Sequence, residues 1–427
     1  MSDGKKLSPV SVWALAAGGM VGGGIYTVLG VVVAVSAQWT WLSFAFTGII
    51  ALTSAYSYVY LSNTFNEGGG AFEFLEKVND EWLAGSLSWL LVIGYVLTIS
   101  VYAYAFGHYV AFAFHGGPLV IRLLAAGIVA ALIALNLAGV GKLTRVEIGI
   151  VSVNLLVLLA LGVYGITQWD TSQLTSGISP RPAWSGLVGG AAIFMAYEGF
   201  QLLSYEYDRI ADPHRHFMPT LMSAVVFVVV LYVAVALGAT VLGGAATLVD
   251  FKEIALSVVA EKSFGTTGLI VMTVAAGFAT AAAINSTLFS TANLTKQIAR
   301  RGELPDWFKH TNGSDVPDRS VILLGILAGI LAVAGSLSAL VEAASLVFLV
   351  TFGVVNWLCW RESKQRKWIP LLGLIVGGVT AVLLLIRVGV SKPFAFGGLL
   401  LVVVLVLLGR PLILGKNQKS APDGDHQ

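Results

Sequence analysis

No charged residue occurs between Leu87 and Phe114, nor between Ile148 and Gln168. Stretches of this kind impose one constraint above all others. Inside a hydrocarbon layer every backbone N–H and C=O must be paired within the protein, and only helices and closed barrels achieve that. A spanning helix needs about 20 predominantly apolar residues, which both stretches supply. Barrel strands would read as roughly ten-residue alternating segments, whereas 321–333 and 399–408 are unbroken runs of aliphatic residues and glycine. Only 11% of the 427 residues are charged, against roughly 25% in soluble domains. A water-facing globule is excluded, and the expected fold is an all-α integral membrane protein.

Apolar runs separated by polar, Gly or Pro breaks predict about twelve transmembrane helices. They lie near 9–35, 41–62, 85–113, 119–138, 146–168, 184–204, 218–242, 264–295, 320–336, 338–360, 368–387 and 394–409. Residues 1–8 form a short polar N-terminus with no cleavage site before a retained first helix. Residues 410–427 form a polar tail expected to be disordered. Of the 25 Lys and Arg residues, all but Arg122, Arg181, Lys252, Lys262, Arg387 and Lys392 fall on the side of the N-terminus. This bias predicts a multi-pass protein of the plasma membrane with both termini cytoplasmic. A net charge of +2, dispersed over short loops, gives no footprint for nucleic acid. The single cysteine, Cys359, excludes an intramolecular disulfide and a multi-cysteine zinc site.

Five of the seven residues 18–24 are glycine, in the middle of the first span. Each costs a helix about 1 kcal/mol relative to alanine, so a break is expected there. A restarting helix offers free N–H groups and a positive dipole end to an anion such as a carboxylate. Close helix packing through Gly18 and Gly22, or Gly19 and Gly23, is the alternative. The sixth span carries Phe194-Met195-Ala196-Tyr197-Glu198-Gly199-Phe200, which places the carboxyl of Glu198 at membrane depth. Such a group marks a functional site by default, with a protonated, hydrogen-bonded structural carboxyl as the alternative. The first and sixth spans begin five helices apart and enter from opposite sides. That is the arrangement of two inverted five-helix repeats, with a site between the broken helices at the midplane.

At these residues the sequence resembles the amino acid-polyamine-organocation transporter superfamily. The resemblance is carried by Met20-Val21-Gly22-Gly23-Gly24-Ile25-Tyr26, by Gly68-Gly69-Gly70-Ala71-Phe72, and by Tyr197-Glu198-Gly199-Phe200 leading to Asp208 and Asp212-Pro213. Asn285 to Asn293 and Ala299-Arg300-Arg301-Gly302-Glu303-Leu304-Pro305 extend it. It implies a first repeat over 9–168, a second over 184–360 and peripheral helices over 368–409. It also implies a substrate carboxylate on the backbone N–H groups of Val21 to Ile25, around Gly22, Gly23 and Gly24. The substrate amine and side chain would lie against Ala196, Tyr197 and Glu198. Proton-coupled relatives carry a lysine in helix 5 where this sequence places Asn154, and the helix 8 hydroxyls of the family fall at Ala281 and Ala282. Asparagine does not titrate and alanine has no side-chain oxygen, which leaves the family's proton route and a sodium site without their side chains. Asn154 and Asn285 would mark the vestigial cation position, Asn154 being equally an ordinary interhelical partner. Glu198, Glu206 and His108 remain as coupling candidates.

Tyr102 and Tyr104 of the third span are candidates to close over a substrate side chain, and His108 is a candidate interfacial anchor. Trp39, Trp41, Trp82, Trp169, Trp307 and Trp368 stand at span ends, as in an interfacial belt. There is no HExxH, CxxC, Walker sequence or nucleophile elbow, so no catalytic residue, metal or cofactor is expected. The expected function is transport of an amino acid by alternating access, with the lipid bilayer and the small-molecule substrate as partners and no obligate protein partner. A polyamine or organic cation is the rival substrate. A channel or a substrate sensor on the same fold is the rival class.

Overall fold

The computed structural model describes residues 6–68, 70–78, 81–139, 144–391 and 397. Helix α1 (Pro9–Val21) starts with Pro9 at its first position and with the Ser8 hydroxyl accepting from the Ser11 N–H at 3.2 Å. Both are favoured devices for a helix start. After it come α2 (Gly24–Ser36), α3 (Thr40–Phe65), a short α4 (Gly70–Lys77), α5 (Glu81–Ala113), α6 (Pro118–Leu137) and α7 (Thr144–Thr167). The second half opens with α8 (Ser185–Ile193), which runs into two 3-10 segments, Phe194–Tyr197 and Phe200–Arg209. It continues with α9 (Pro213–Gly243), α10 (Ala245–Asp250), α11 (Ala255–Arg300), α12 (Asp318–Ala334), α13 (Leu337–Glu362) and α14 (Trp368–Ser391). Each of the first eleven expected spans therefore has its helix. The twelfth, near 394–409, and the tail lie outside the described residues. Among the described residues there is no strand beyond one isolated bridge between Leu7 and Ile210.

The expected division at Gly335 and Ser336 is the gap between α12 and α13. The helix of the eighth span follows a sharp bend at Gly265 (φ 64°, ψ −156°), and a short helix from Ala255 precedes that bend. Position 265 needs glycine because L-residues with a Cβ are strained at positive φ.

Helix α5 lies at the centre, packed against α11, α13, α6 and α12. Its Tyr95, Ile99, Tyr102 and Tyr109 are buried. On α6 and α14, by contrast, Leu119, Leu123, Val379 and Ile386 are exposed, as expected of faces that meet lipid. Small residues set the closest crossings: a Cβ on Gly165 would stand 2.3 Å from the Gly238 carbonyl oxygen, and one on Gly238 would stand 2.4 Å from that of Gly162. Helices α7 and α9 therefore touch backbone to backbone, the usual means of close association in a membrane.

We call the face that holds Leu7, the 66–78 connector and Arg209 the N-terminal face. Leu7 donates its N–H to the Arg209 carbonyl at 2.7 Å and accepts from the Ala211 N–H at 3.0 Å. The start of α1 and the end of the 200–209 segment thus share this face, so the two run antiparallel. Helix α4 lies here too, and Arg301 at the end of α11 meets its Glu73 at 3.4 Å and Glu76 at 3.1 Å.

Burial pushes the Glu73 carboxyl up to about 7, with Glu76 and Glu67 adding to the shift and Arg301 opposing it. Burial outweighs the ion pair here. A carboxyl raised in the folded state contributes stability below its unfolded value, and that contribution is lost as the pH climbs through the folded one. Detergent-solubilised protein is therefore expected to unfold at a lower temperature at pH 8 than at pH 5.5, and Glu73→Gln is expected to narrow that difference. An unchanged difference in the variant would refute the assignment.

Candidate functional site

Helix α1 ends at Val21. Gly22 keeps helical angles (φ −53°, ψ −32°) and bonds back to the Gly18 carbonyl at 2.7 Å. Gly23, at φ −143°, ψ −17°, leaves the helix, and α2 starts at Gly24. The first bond after the join is Thr27 N–H to Gly23 carbonyl at 3.2 Å. The N–H groups of Gly24, Ile25 and Tyr26 thus belong to the first turn of a helix, where no intrahelical carbonyl meets them. The break is narrow, and the glycines serve close approach as well. A Cβ on Gly23 would sit 2.1 Å from two ring carbons of Tyr102. One on Gly24 would sit 2.4 Å from the Tyr232 hydroxyl and 2.5 Å from the Ala196 carbonyl oxygen.

The second break is wider. After α8 the chain turns through Phe194–Tyr197, extends at Glu198 (φ −65°, ψ 148°) and reverses at Gly199 (φ 123°, ψ −34°). Glu198 is 2% exposed, and its carboxyl accepts from the Gln201 side-chain amide at 2.9 Å. The amide oxygen of Gln201 accepts from the Gly199 N–H at 2.8 Å. A loop of side chains thus satisfies backbone that the unwound helix leaves unpaired. The Gln201 amide also lies 3.3 Å from the Tyr95 hydroxyl, itself 3.4 Å from that of Tyr205.

The two breaks meet. A Cβ on Gly199 would be 2.4 Å from the carbonyl carbon of Gly19. From α9 the Tyr232 hydroxyl lies 2.8 Å from the Met20 carbonyl oxygen and 3.1 Å from that of Ala196. One hydroxyl therefore stands at the carbonyl ends of both broken helices. Around this junction Tyr102 is buried with its hydroxyl lacking a hydrogen-bond partner.

Beside α1 lies a cavity of about 20 Å³, lined by Gly18, Gly22, Asn154, Ala282, Ser286 and Thr287 among others. Its size is that of one water. The Asn154 amide oxygen accepts from the Tyr26 hydroxyl at 3.2 Å, so Asn154 braces the restarting helix as an interhelical partner. Ala282 brings no side-chain oxygen to this cavity. One turn further along the same helix, however, Ser286 and Thr287 bring hydroxyls to the cavity.

The expected site residues divide accordingly. Val21, Gly22, Gly23, Gly24, Ile25, Ala196 and Glu198 all lie at the junction. Tyr197 is there through its backbone, while its hydroxyl donates to the Phe44 carbonyl at 2.9 Å. The Tyr104 ring stacks on His108 with centroids 4.2 Å apart, and Tyr102 is the tyrosine that covers Gly23. Two residues along a helix lie about 200° apart around its axis, so both could not face the break. Asn285 accepts from the Asn136 amide of α6 at 2.8 Å and is not among the residues that line the cavity beside Asn154. Tyr232 and Gln201 belong to none of the motifs above. A lone tyrosine in the aliphatic run Val228-Val229-Val230-Leu231-Tyr232-Val233 is the signal for the first, because a buried tyrosine hydroxyl calls for a partner.

A sequence model of the amino acid permease family matches residues 7–411, and the chain belongs to that family. It is 29% identical over 423 residues to an uncharacterised protein of Methanocaldococcus jannaschii, covering 95% of this chain and 94% of that one. It is 28% identical over 396 residues to the inner membrane transport protein YbaT of Escherichia coli, covering 89% of each. In fold it matches the crystal structure of MhsT in complex with L-phenylalanine, with a TM-score of 0.60 at 16% identity over 93% of this chain and 98% of that one. The molecule is thus a multi-pass, all-helical membrane transporter.

Proposed function

We propose that this transporter carries amino acids by alternating access, with 9–168 and 184–360 as its two inverted repeats and the junction of the breaks as its substrate site. The observation that carries the reading is the facing of two kinds of helix end in one buried place. The first-turn N–H groups of Gly24, Ile25 and Tyr26 suit a carboxylate. The Met20 and Ala196 carbonyls, which a single hydroxyl now spans, suit an ammonium. A ligand with both groups on one carbon matches that pair, and the solved relative in fold binds L-phenylalanine.

In this reading the N-terminal face is cytoplasmic in the plasma membrane. The opposite side is closed, since α10 and the loop after it press on α2: a Cβ on Gly30 would be 2.3 Å from the Cα of Lys252. The reading is tested by uptake of labelled amino acids and polyamines into proteoliposomes, with and without a pH gradient, and with sodium or potassium outside. Saturable uptake of amino acids supports it. Uptake of polyamines alone would favour the rival substrate class, which the buried Glu198 carboxyl would suit, and no uptake at all would overturn the reading.

Asn154 cannot release a proton, so coupling by a pH gradient would be routed through another group. Glu198→Gln is expected to alter the pH profile of uptake and to lower the preference for cationic over neutral amino acids. An identical profile and preference in the variant would leave Glu198 as a structural acceptor for Gln201.

A further inference from the structure

On the N-terminal side of the junction, between the 200–209 segment and α11, lies a second cavity of about 210 Å³. That is room for about seven waters at ~30 Å³ each. Tyr205 and Glu206 line one wall, and Ser290, Asn293 and Gln297 line the other. The spacing of Ser286, Ser290, Asn293 and Gln297 puts them in one row along α11. Ser286 at the head of the row also lines the small cavity beside Gly18 and Gly22, as does Leu202 from the opposite wall. Both cavities thus border α11 and the 200–209 segment. Gln297, at the far end of the row, is exposed.

We propose that this outer cavity is a second binding site, which holds the ammonium of an amino acid or amine on its way between the junction and the N-terminal face. The inference rests on the transporter reading above. The lining is rich in acceptors. The half-buried Glu206, which Arg209 bonds at 2.5 Å, brings a carboxylate to the wall, and an ionised carboxylate only accepts. Asn293 donates an amide N–H to the Phe289 carbonyl at 2.9 Å, and its amide oxygen is an acceptor. Ser290 adds a hydroxyl. An ammonium has three donors and no acceptor, and its bond to Glu206 would be charge-assisted. An anion lacking an amine finds in Glu206 only repulsion.

The test uses Gln297→Cys as a reporter at the rim, in the full chain in nanodiscs, alkylated by a charged, membrane-impermeant maleimide. The native Cys359 is fully buried and serves as the unreactive control. The probes are L-alanine, putrescine and acetate, and the measurement is repeated with Gly23→Leu, which fills the junction. L-Alanine and putrescine are expected to slow alkylation in both backgrounds, about tenfold with the probe at about ten times its dissociation constant, and acetate is expected to have no effect. Glu206→Gln should react at the same rate without ligand, which shows an intact fold, and should lose the protection. Absence of protection by both amines, or protection that survives Glu206→Gln, would overturn the proposal. So would protection abolished by Gly23→Leu, which would mean that the junction acts on the reporter from a distance. Should wild-type protein show protection but no uptake, the transport reading fails and the site stands.

Discussion

Replacing Gly199 by alanine is expected to abolish uptake and to lower the yield of folded protein. Gly199 sits at φ 123°, a region that side chains with a Cβ rarely enter, and strain of this kind costs of order 1–3 kcal/mol. The added methyl would also lie 2.4 Å from the carbonyl carbon and 2.5 Å from the carbonyl oxygen of Gly19. The obstacle is main chain, which has no rotamer to escape into, so the two broken helices must separate. Their separation takes the Met20 and Ala196 carbonyls out of common reach of Tyr232. Uptake in proteoliposomes at matched protein content, together with the monodispersity of the purified variant, is the measurement. Wild-type uptake by Gly199→Ala would show that the breaks do not have to touch.

Gly23→Leu should leave more folded protein and yet reduce uptake at least tenfold, corresponding to about 1.4 kcal/mol or more. Here the obstacle is the ring of Tyr102, whose nearest carbons lie 2.1 Å from the position of a Cβ, and a side chain can yield where a backbone cannot. The leucine then fills the space over the N–H groups of Gly24 to Tyr26. Unchanged uptake would remove these groups from the substrate site. Tyr102→Phe separates the two roles of that tyrosine. Its hydroxyl is buried and without a hydrogen-bond partner, and an unsatisfied buried polar group costs about 1–3 kcal/mol. The phenylalanine variant is accordingly expected to unfold at a higher temperature than wild type while its apparent KM for uptake rises. Higher stability with an unchanged KM would make the hydroxyl a packing defect and nothing more.

The sequence allows the spans, the two breaks and their antiparallel placement to be read because glycine clusters, buried charge and apolar length each have a local physical cost. What could not be read is which way the helices face. In a soluble helix the apolar stripe reveals the inner face, but α5 and α7 are apolar all round and turn by packing of small residues. Tyr102 and Tyr104 were therefore indistinguishable until Gly23 was seen beneath the Tyr102 ring. For the same reason Asn285, two residues from Thr287 in sequence, looks across to Asn136 while Thr287 looks at the small cavity. The bend at Gly265 was hidden differently. A single glycine at positive φ has no signature that sets it apart from the 48 glycines of the chain.

The bridge at Leu7 has a mechanical meaning. Two backbone hydrogen bonds, from Leu7 to Arg209 and from Ala211 to Leu7, fasten the lower end of the first broken helix to the lower end of the other. Each contributes about 1 kcal/mol, modest beside the whole fold but comparable with the energy that decides between two conformations of a carrier. To swing away from the centre, α1 must either carry the 200–209 segment with it or break this clasp. In the alternating-access cycle proposed above, the two would therefore move on the N-terminal face as one hinged leaf, and a substrate leaving that way would be let go by both at the same moment.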